Sequence, residues 1–300
     1  MDLLNDTRWT YGAEHEWADW PLATQLPEGY GRDVKDITIV NSNGIANDPS
    51  GRFYGFGGEI NTPPTDTPGG QIDCLVELKK LLPMAKVNYR SNLHLHIRVP
   101  GLQNDLAALK QLQRYIHEHM PKALPMLQKL PKPTVAQYQD KEVFEGAKRR
   151  WRRRRVSHQT LLNPARVAKQ LQAASIEEFF RLEPPQSKDG KPLRHCQPRV
   201  CVNVRQLLET DTIEFRHFAG TLDEDELTTC FMWVHRFMQH ALADGDFDEL
   251  LEEFAQEKFP AFPEYDHELE NRYRATVHDG TLDKSQIADN IKSILEGTFK

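Results

Sequence analysis

The sequence predicts an α+β protein in which a curved, largely antiparallel sheet carries helices on its apolar face. Three observations support this. Several short segments alternate apolar with charged side chains, as strands do when one face is buried and the other polar. Other segments keep apolar residues at helical spacing. No regular strand–helix alternation runs along the chain, which argues against a parallel doubly wound sheet.

The first element is "RWTYGAEHEWADW". In an extended chain Tyr11, Ala13, His15 and Trp17 share one side and Glu14 and Glu16 the other. "KDITIVNSNG" reads as a short strand entering a turn, and "GRFYGFGGEINTPP" as a Gly-rich stretch leading to Glu59 and Asn61, ended by Pro63 and Pro64. Its glycines, Gly51, Gly55, Gly57 and Gly58, fit either the hinges of a lid or a plain hairpin. Residues 68 to 82 predict a helix with an apolar stripe of Ile72, Leu75, Val76 and Leu82.

"SNLHLHIRVPG" is the cleanest alternation in the chain. Leu93, Leu95, Ile97 and Val99 form its core face, with Asn92, His94, His96 and Arg98 opposite. A helix from about Leu102 to Met120 follows; His117 and His119 at its end suit the helix dipole as structural or surface residues. From Pro121 to Pro198 the chain is proline-broken and reads as an insertion upon the sheet, with a capping box at Ser175 and Glu178. "RVCVNVRQL" and "DTIEFRHFAG" return as strands, and a helix from about Asp223 to Leu242 opens a helical extension over 241 to 300. The whole, 1 to 300, is expected to be one domain.

Bulk properties narrow the function classes. With 38 basic and 44 acidic residues the net charge is −6, which disfavours coating nucleic acid by bulk attraction. Charge is uneven: "KRRWRRRR", Lys148 to Arg155, is either a patch for nucleic acid or another anion or a solvated helix face. Cys74, Cys196, Cys201 and Cys230 are too scattered for a disulfide framework, and "HCQPRVC" lacks the second pair of a zinc knuckle. No apolar stretch approaches the roughly twenty residues of a membrane span. The N-terminus lacks the plan of an export signal, so no membrane partner and a cytoplasmic location are expected.

If the strands share a sheet, one face collects Glu14, Glu16, Glu59, His94, His96, Glu214 and Arg216, with Arg205 nearby. Carboxylates gathered so closely repel unless cations neutralise them. Oxygen ligands with an imidazole suit Mg²⁺ or Mn²⁺, and arginines beside them can bind the same phosphates the metal does. The chemistry this suggests is phosphoryl transfer.

The stretches "GAEHEW", "GGEINTPP", "LHLHIRV" and "TIEFRHFAGTL", in that order, resemble the glutamine synthetase and glutamate-cysteine ligase superfamily, most nearly its bacterial and phage amidoligase branch. The resemblance covers roughly residues 8 to 100 and 199 to 240. It implies a glutamine-synthetase-like catalytic sheet and an ATP-dependent carboxylate–amine ligase that works through an acyl phosphate. Its partners would be a small-molecule or peptide carboxylate and an amine donor. If the protein is phage-encoded, its compartment would be the bacterial host cytoplasm.

By that resemblance Glu14, Glu16, Glu59 and Glu214 hold metal, and Arg216 stabilises the transferring phosphoryl group. Either His94 or His96 approaches metal or the ATP phosphates, and Arg205 is similar to an upstream phosphate-binding arginine. Two other classes stay open on the residues alone. A metal-dependent hydrolase or nuclease could use the same acids, although His-x-His in barrel hydrolases belongs to a repeating strand–helix series that this chain lacks. A binding protein would leave the clustered acids without a physical reason.

Overall fold

The structure is a computed structural model and describes residues 8–21, 23–33, 57–87, 91–129, 161–181 and 200–258. In chain order the elements begin with β1 (Thr10–Ala18), β2 (Gly31–Asp33), β3 (Gly57–Asn61), α1 (Pro68–Leu81) and β4 (Asn92–Arg98). Then come α2 (Leu106–Lys129), α3 (Pro164–Gln172), α4 (Ile176–Phe180), β5 (Val202–Asn203) and α5 (Leu207–Thr210). β6 (Ile213–Ala219), α6 (Glu224–Ala243) and α7 (Phe247–Lys258) complete the set.

They fall into two compact units. The first holds the sheet, α1, α5 and α6 as far as Gln239; the second holds α2, α3, α4, α7 and the end of α6. The six strands of the first unit lie in the order β2-β3-β1-β4-β6-β5, every neighbouring pair antiparallel. The fold is α+β, as expected. The edges are strands of three and two residues, short enough to offer little template for another chain.

One face of the sheet is apolar because β1, β3, β4 and β6 each alternate in phase. Trp17, Ile60, Leu93, Leu95, Ile97, Ile213 and Phe215 are wholly buried there. α6 covers it, with Phe231 edge-on to Tyr11 and Phe237 edge-on to Phe215 at centroid distances of 6.2 and 6.0 Å. The Tyr11 hydroxyl meets His235 Nδ1 at 2.7 Å, and Trp17 Nε1 donates to the Thr221 carbonyl. Burial pushes the Tyr11 hydroxyl up to about 12, so it stays protonated as this tie requires.

α1 begins where the sequence predicts, with Pro68 in the first turn and Thr67 Oγ1 accepting from Gly70 N. Its buried face is Gln71, Cys74, Leu75 and Leu78, rotated from the stripe of Ile72 and Val76. The reason is polar. Gln71 Nε2 donates to the carbonyls of Tyr11 and Pro63, while its Oε1 accepts from Thr62 Oγ1 at 2.6 Å. That clamp fixes the chain just past Asn61, and Ala13 N donates to the same Thr62 hydroxyl.

In the second unit α2 continues through Pro121 and Pro125 to Lys129, correcting the expected end at Met120. An internal proline costs a helix about 3 kcal/mol. Met120, Ala123, Leu124 and Leu127 nonetheless keep helical spacing and are buried, which offsets it. His119 therefore lies inside the helix, stacked on Phe247 at 4.6 Å. The cap expected at Ser175 forms, with Ser175 Oγ accepting from Glu178 N, while Glu178 Oε2 reaches one residue further back than in a capping box and accepts from Ala174 N.

The strand expected in "KDITIVNSNG", the basic run from Lys148 to Arg155, His195, Cys196, Gly51 and Gly55 lie outside the described residues. Gly57 and Gly58 open β3. At Gly57, with φ of 121°, a Cβ would sit 2.6 Å from the Trp17 carbonyl oxygen, so close strand packing demands glycine there.

Candidate functional site

The second face of the sheet is charged and yet buried. Glu16, His94 and Glu214 are 2, 3 and 2% exposed, which rules out a solvated outer face with an incidental ion pair. Register builds the cluster. Glu16 lies opposite Glu59, Glu14 opposite Asn61 and His94, His96 opposite Glu214, and Glu214 opposite Asn203. Directly opposed side chains share a face at about 5 Å, so charges from four strands, β3, β1, β4 and β6, meet on one face in adjacent rows.

Hydrogen bonds set the orientation of each carboxylate. Glu14 Oε2 accepts from His94 Nδ1 at 2.7 Å, and Glu14 Oε1 lies 3.1 Å from His96 Nε2. Glu16 Oε2 accepts from both the backbone N and Nδ2 of Asn92, at 2.9 and 2.7 Å, while its Oε1 lies 4.0 Å from His94 Nε2. Glu214 Oε2 accepts from Asn203 Nδ2 at 2.9 Å, and its Oε1 accepts from Arg216 NH1 and lies 3.6 Å from His94 Nδ1. Burial alone would raise the Glu14 carboxyl. The hydrogen bonds and charges of His94 and His96 outweigh that and hold it well below the usual carboxylate range.

Arg216 sits at a bulge. β4 and β6 pair Leu95 with Phe215 but Leu93 with Phe218, so Arg216 and His217 together oppose His94. Strand alternation keeps Arg216 on the charged face beside Glu214, and past the bulge His217 and Phe218 are both buried with their rings 4.1 Å apart.

Two groups could each hold a cation: Glu14 with His96 and Glu214, and Glu14 with Glu59 and His94. Their ligand atoms all lie within 4.8 Å of one another, close to the span of opposed ligands on an ion bound at about 2.1–2.5 Å. The donor set of carboxylate oxygens and imidazole suits Mg²⁺ or Mn²⁺. Asn61 Oδ1, buried without a hydrogen bond, also fits such an ion.

Of the residues singled out in the sequence, Glu14, Glu16, Glu59, His94, His96, Glu214 and Arg216 share this face. Arg205 does not stand on a strand, and that expectation is corrected. β5 stops after Asn203 and the chain coils into a 3-10 turn, Val204–Gln206, as Leu207 is drawn into the core at 1% exposure. Arg205 is half-buried in that turn, and among the described residues it makes no ion pair with the cluster.

Sequence reasoning missed Asn203 and Asn92, which donate to the cluster's carboxylates, and Thr212, whose Oγ1 lies 2.9 Å from His96 Nδ1. Strand parity could have found Asn92, which shares the row of His94 and His96. Asn203 and Thr212 carried no signal, since their roles depend on where β5 ends and β6 begins. Among the described residues no helix is long and apolar enough to cross a membrane.

No protein-family model and no curated protein matches the chain. Among solved structures it is similar to a bifunctional glutathione synthetase from Pasteurella multocida, at 14% identity and a TM-score of 0.35. The likeness covers 97% of this chain and 47% of that one, so this chain spans about half its length. A likeness this loose establishes neither a shared fold nor a shared activity, and no comparison joins the chain to the glutamine synthetase superfamily that its motifs resemble.

Proposed function

We propose that the protein is an ATP-dependent carboxylate–amine ligase that forms an amide through an acyl phosphate. The observation that supports this best is the pair of cation-sized groups sharing Glu14, with a guanidinium at their edge. In this reading Glu14, Glu16, Glu59, Glu214 and His94 or His96 hold Mg²⁺ or Mn²⁺. Such an ion supplies positive charge against the phosphate oxygens of ATP. Arg216, partly exposed beside Glu214, offers paired N–H donors to the γ-phosphoryl group as its charge spreads in transfer. Arg205 is kept as a more distant phosphate contact, and the second compact unit is read as an elaboration of one ligase domain.

The reaction needs this electrostatic help because a carboxylate repels an amine and its oxygen leaves poorly. Transfer of the γ-phosphoryl group to a carboxylate oxygen releases ADP and gives an acyl phosphate. An amine then attacks the acyl carbon, loses a proton and displaces inorganic phosphate, leaving the amide. Arg216 and the buried histidines serve the first step by lowering the cost of bringing two anions together.

The test is thermal unfolding with a non-hydrolysable ATP analogue, with and without Mg²⁺ or Mn²⁺. The reading expects a gain in melting temperature only when nucleotide and metal are both present. A screen for ADP release over candidate carboxylates and amines would then identify the pair joined. Stabilisation by DNA, with none from nucleotide and metal, would instead favour a metal-dependent nuclease.

A further inference from the structure

We propose that Asn203 is a positioning residue: from the edge strand β5 it holds the Glu214 carboxylate in the orientation that lets Glu214 share a cation with Glu14 and His96. The inference rests on the metal reading above and gives the edge of the sheet a task in it.

A carboxylate only 2% exposed has to find its donors inside the protein, and Glu214 has one for each oxygen. Oε1 accepts from Arg216 NH1 and lies 3.6 Å from His94 Nδ1, whereas Oε2 accepts from Asn203 Nδ2 at 2.9 Å. Chemistry sets both directions, because a carboxylate oxygen accepts and the nitrogens of an amide or a guanidinium donate. Arg216 alone would hold one oxygen and leave the group able to turn about it. A second donor on the other oxygen fixes the plane. In that plane one ligand atom each of Glu14, His96 and Glu214 lie within 4.8 Å of one another.

Local preference would send the Asn203 side chain elsewhere. The residue stands at the cap position of the 3-10 turn Val204–Gln206, where an asparagine oxygen ordinarily accepts from the first backbone N–H groups. Its side chain makes no such bond. Register decides instead: Asn203 pairs directly with Glu214, so the two side chains leave the sheet on the same face, and Asn203 is itself buried there. The cap is forgone and the carboxylate is held. Outer partners of this kind orient metal ligands, and losing one typically weakens binding 10- to 100-fold.

The test is a double-mutant cycle on the full chain, with Mn²⁺ affinity read by electron paramagnetic resonance of the free ion under conditions where every variant is folded. Asn203→Ala should weaken Mn²⁺ binding roughly 10- to 100-fold. In a Glu214→Gln background the same substitution should change the affinity by less than about twofold, because the group through which Asn203 acts is already lost. A residue that merely supports the fold would show no such dependence on Glu214. If Asn203→Ala does not fold, Asn203→Ser, whose hydroxyl falls one bond short of the amide nitrogen, carries the same expectation.

Wild-type protein that binds Mn²⁺ while Asn203→Ala binds it equally well overturns the proposal and leaves the metal reading standing. A loss of equal size in the wild-type and Glu214→Gln backgrounds also overturns it, since Asn203 would then act by another route. Wild-type protein that binds no Mn²⁺ overturns the metal reading and the proposal with it.

Discussion

Replacing Glu14 with glutamine removes the one charge common to both cation groups while keeping the shape of the side chain. Glu14 faces His94 at 2.7 Å and His96 at 3.1 Å, and it is the residue through which the two groups overlap. A loss of roughly 100-fold in metal affinity is expected from deleting a shared anionic ligand in a buried site. Linkage converts this to stability: Mn²⁺ at 100 times the wild-type Kd stabilises by about 2.7 kcal/mol, and for a variant bound 100-fold more weakly the gain falls to about 0.4 kcal/mol. For a domain of 150 to 250 residues that is a melting-temperature gain shrinking from roughly 5–10 °C to about 1 °C. The assay is differential scanning calorimetry of wild type and Glu14→Gln across an Mn²⁺ series. An undiminished Mn²⁺ gain in Glu14→Gln would show that Glu14 is no ligand and would refute the shared-ion geometry.

Two further outcomes follow from the buried polar groups. Asn92→Ala removes one of two donors to Glu16 Oε2 and should cost about 1.5–3 kcal/mol in urea unfolding, the range for hydrogen bonds to charged groups; a cost below 0.5 would show that water replaces the amide. His15 lies on the apolar face with neither ring nitrogen hydrogen-bonded, and burial pushes its pKa down to about 4. Because the unfolded imidazole titrates near 6.5, the unfolded chain binds more protons between these values, so stability should fall as pH drops from about 6.5 to about 4. The contribution is at most about 3 kcal/mol, and Glu14, whose carboxyl is held low, also loses stability in acid. His15→Leu should flatten the upper part of that slope, as followed by chemical unfolding at successive pH values. An unchanged profile would mean that His15 titrates alike in the folded and the unfolded chain.

The charged row across β1, β4 and β6 was legible because strand geometry is local. A period of two assigns Glu14, Glu16, His94, His96 and Glu214 to one face whatever else the chain does, and caps such as Thr67 and Ser175 act within four residues of themselves. Arg205 was misplaced because the length of a strand is set by its neighbours. β5 ends where Leu207 is drawn into the core, and nothing in "RVCVNVRQL" marks that point. Likewise Pro121 breaks a helix by propensity, yet the burial of Leu124 and Leu127 outweighs it.

Composition and alternation were enough to assign the class of fold and the kind of atom presented on each face, since both follow from backbone geometry and side-chain chemistry read residue by residue. The distances that make those atoms a candidate site belong to the folded molecule alone. Register between strands far apart in the chain and the bulge opposite His94 arise from contacts between distant segments, whose energies no local stretch of sequence contains.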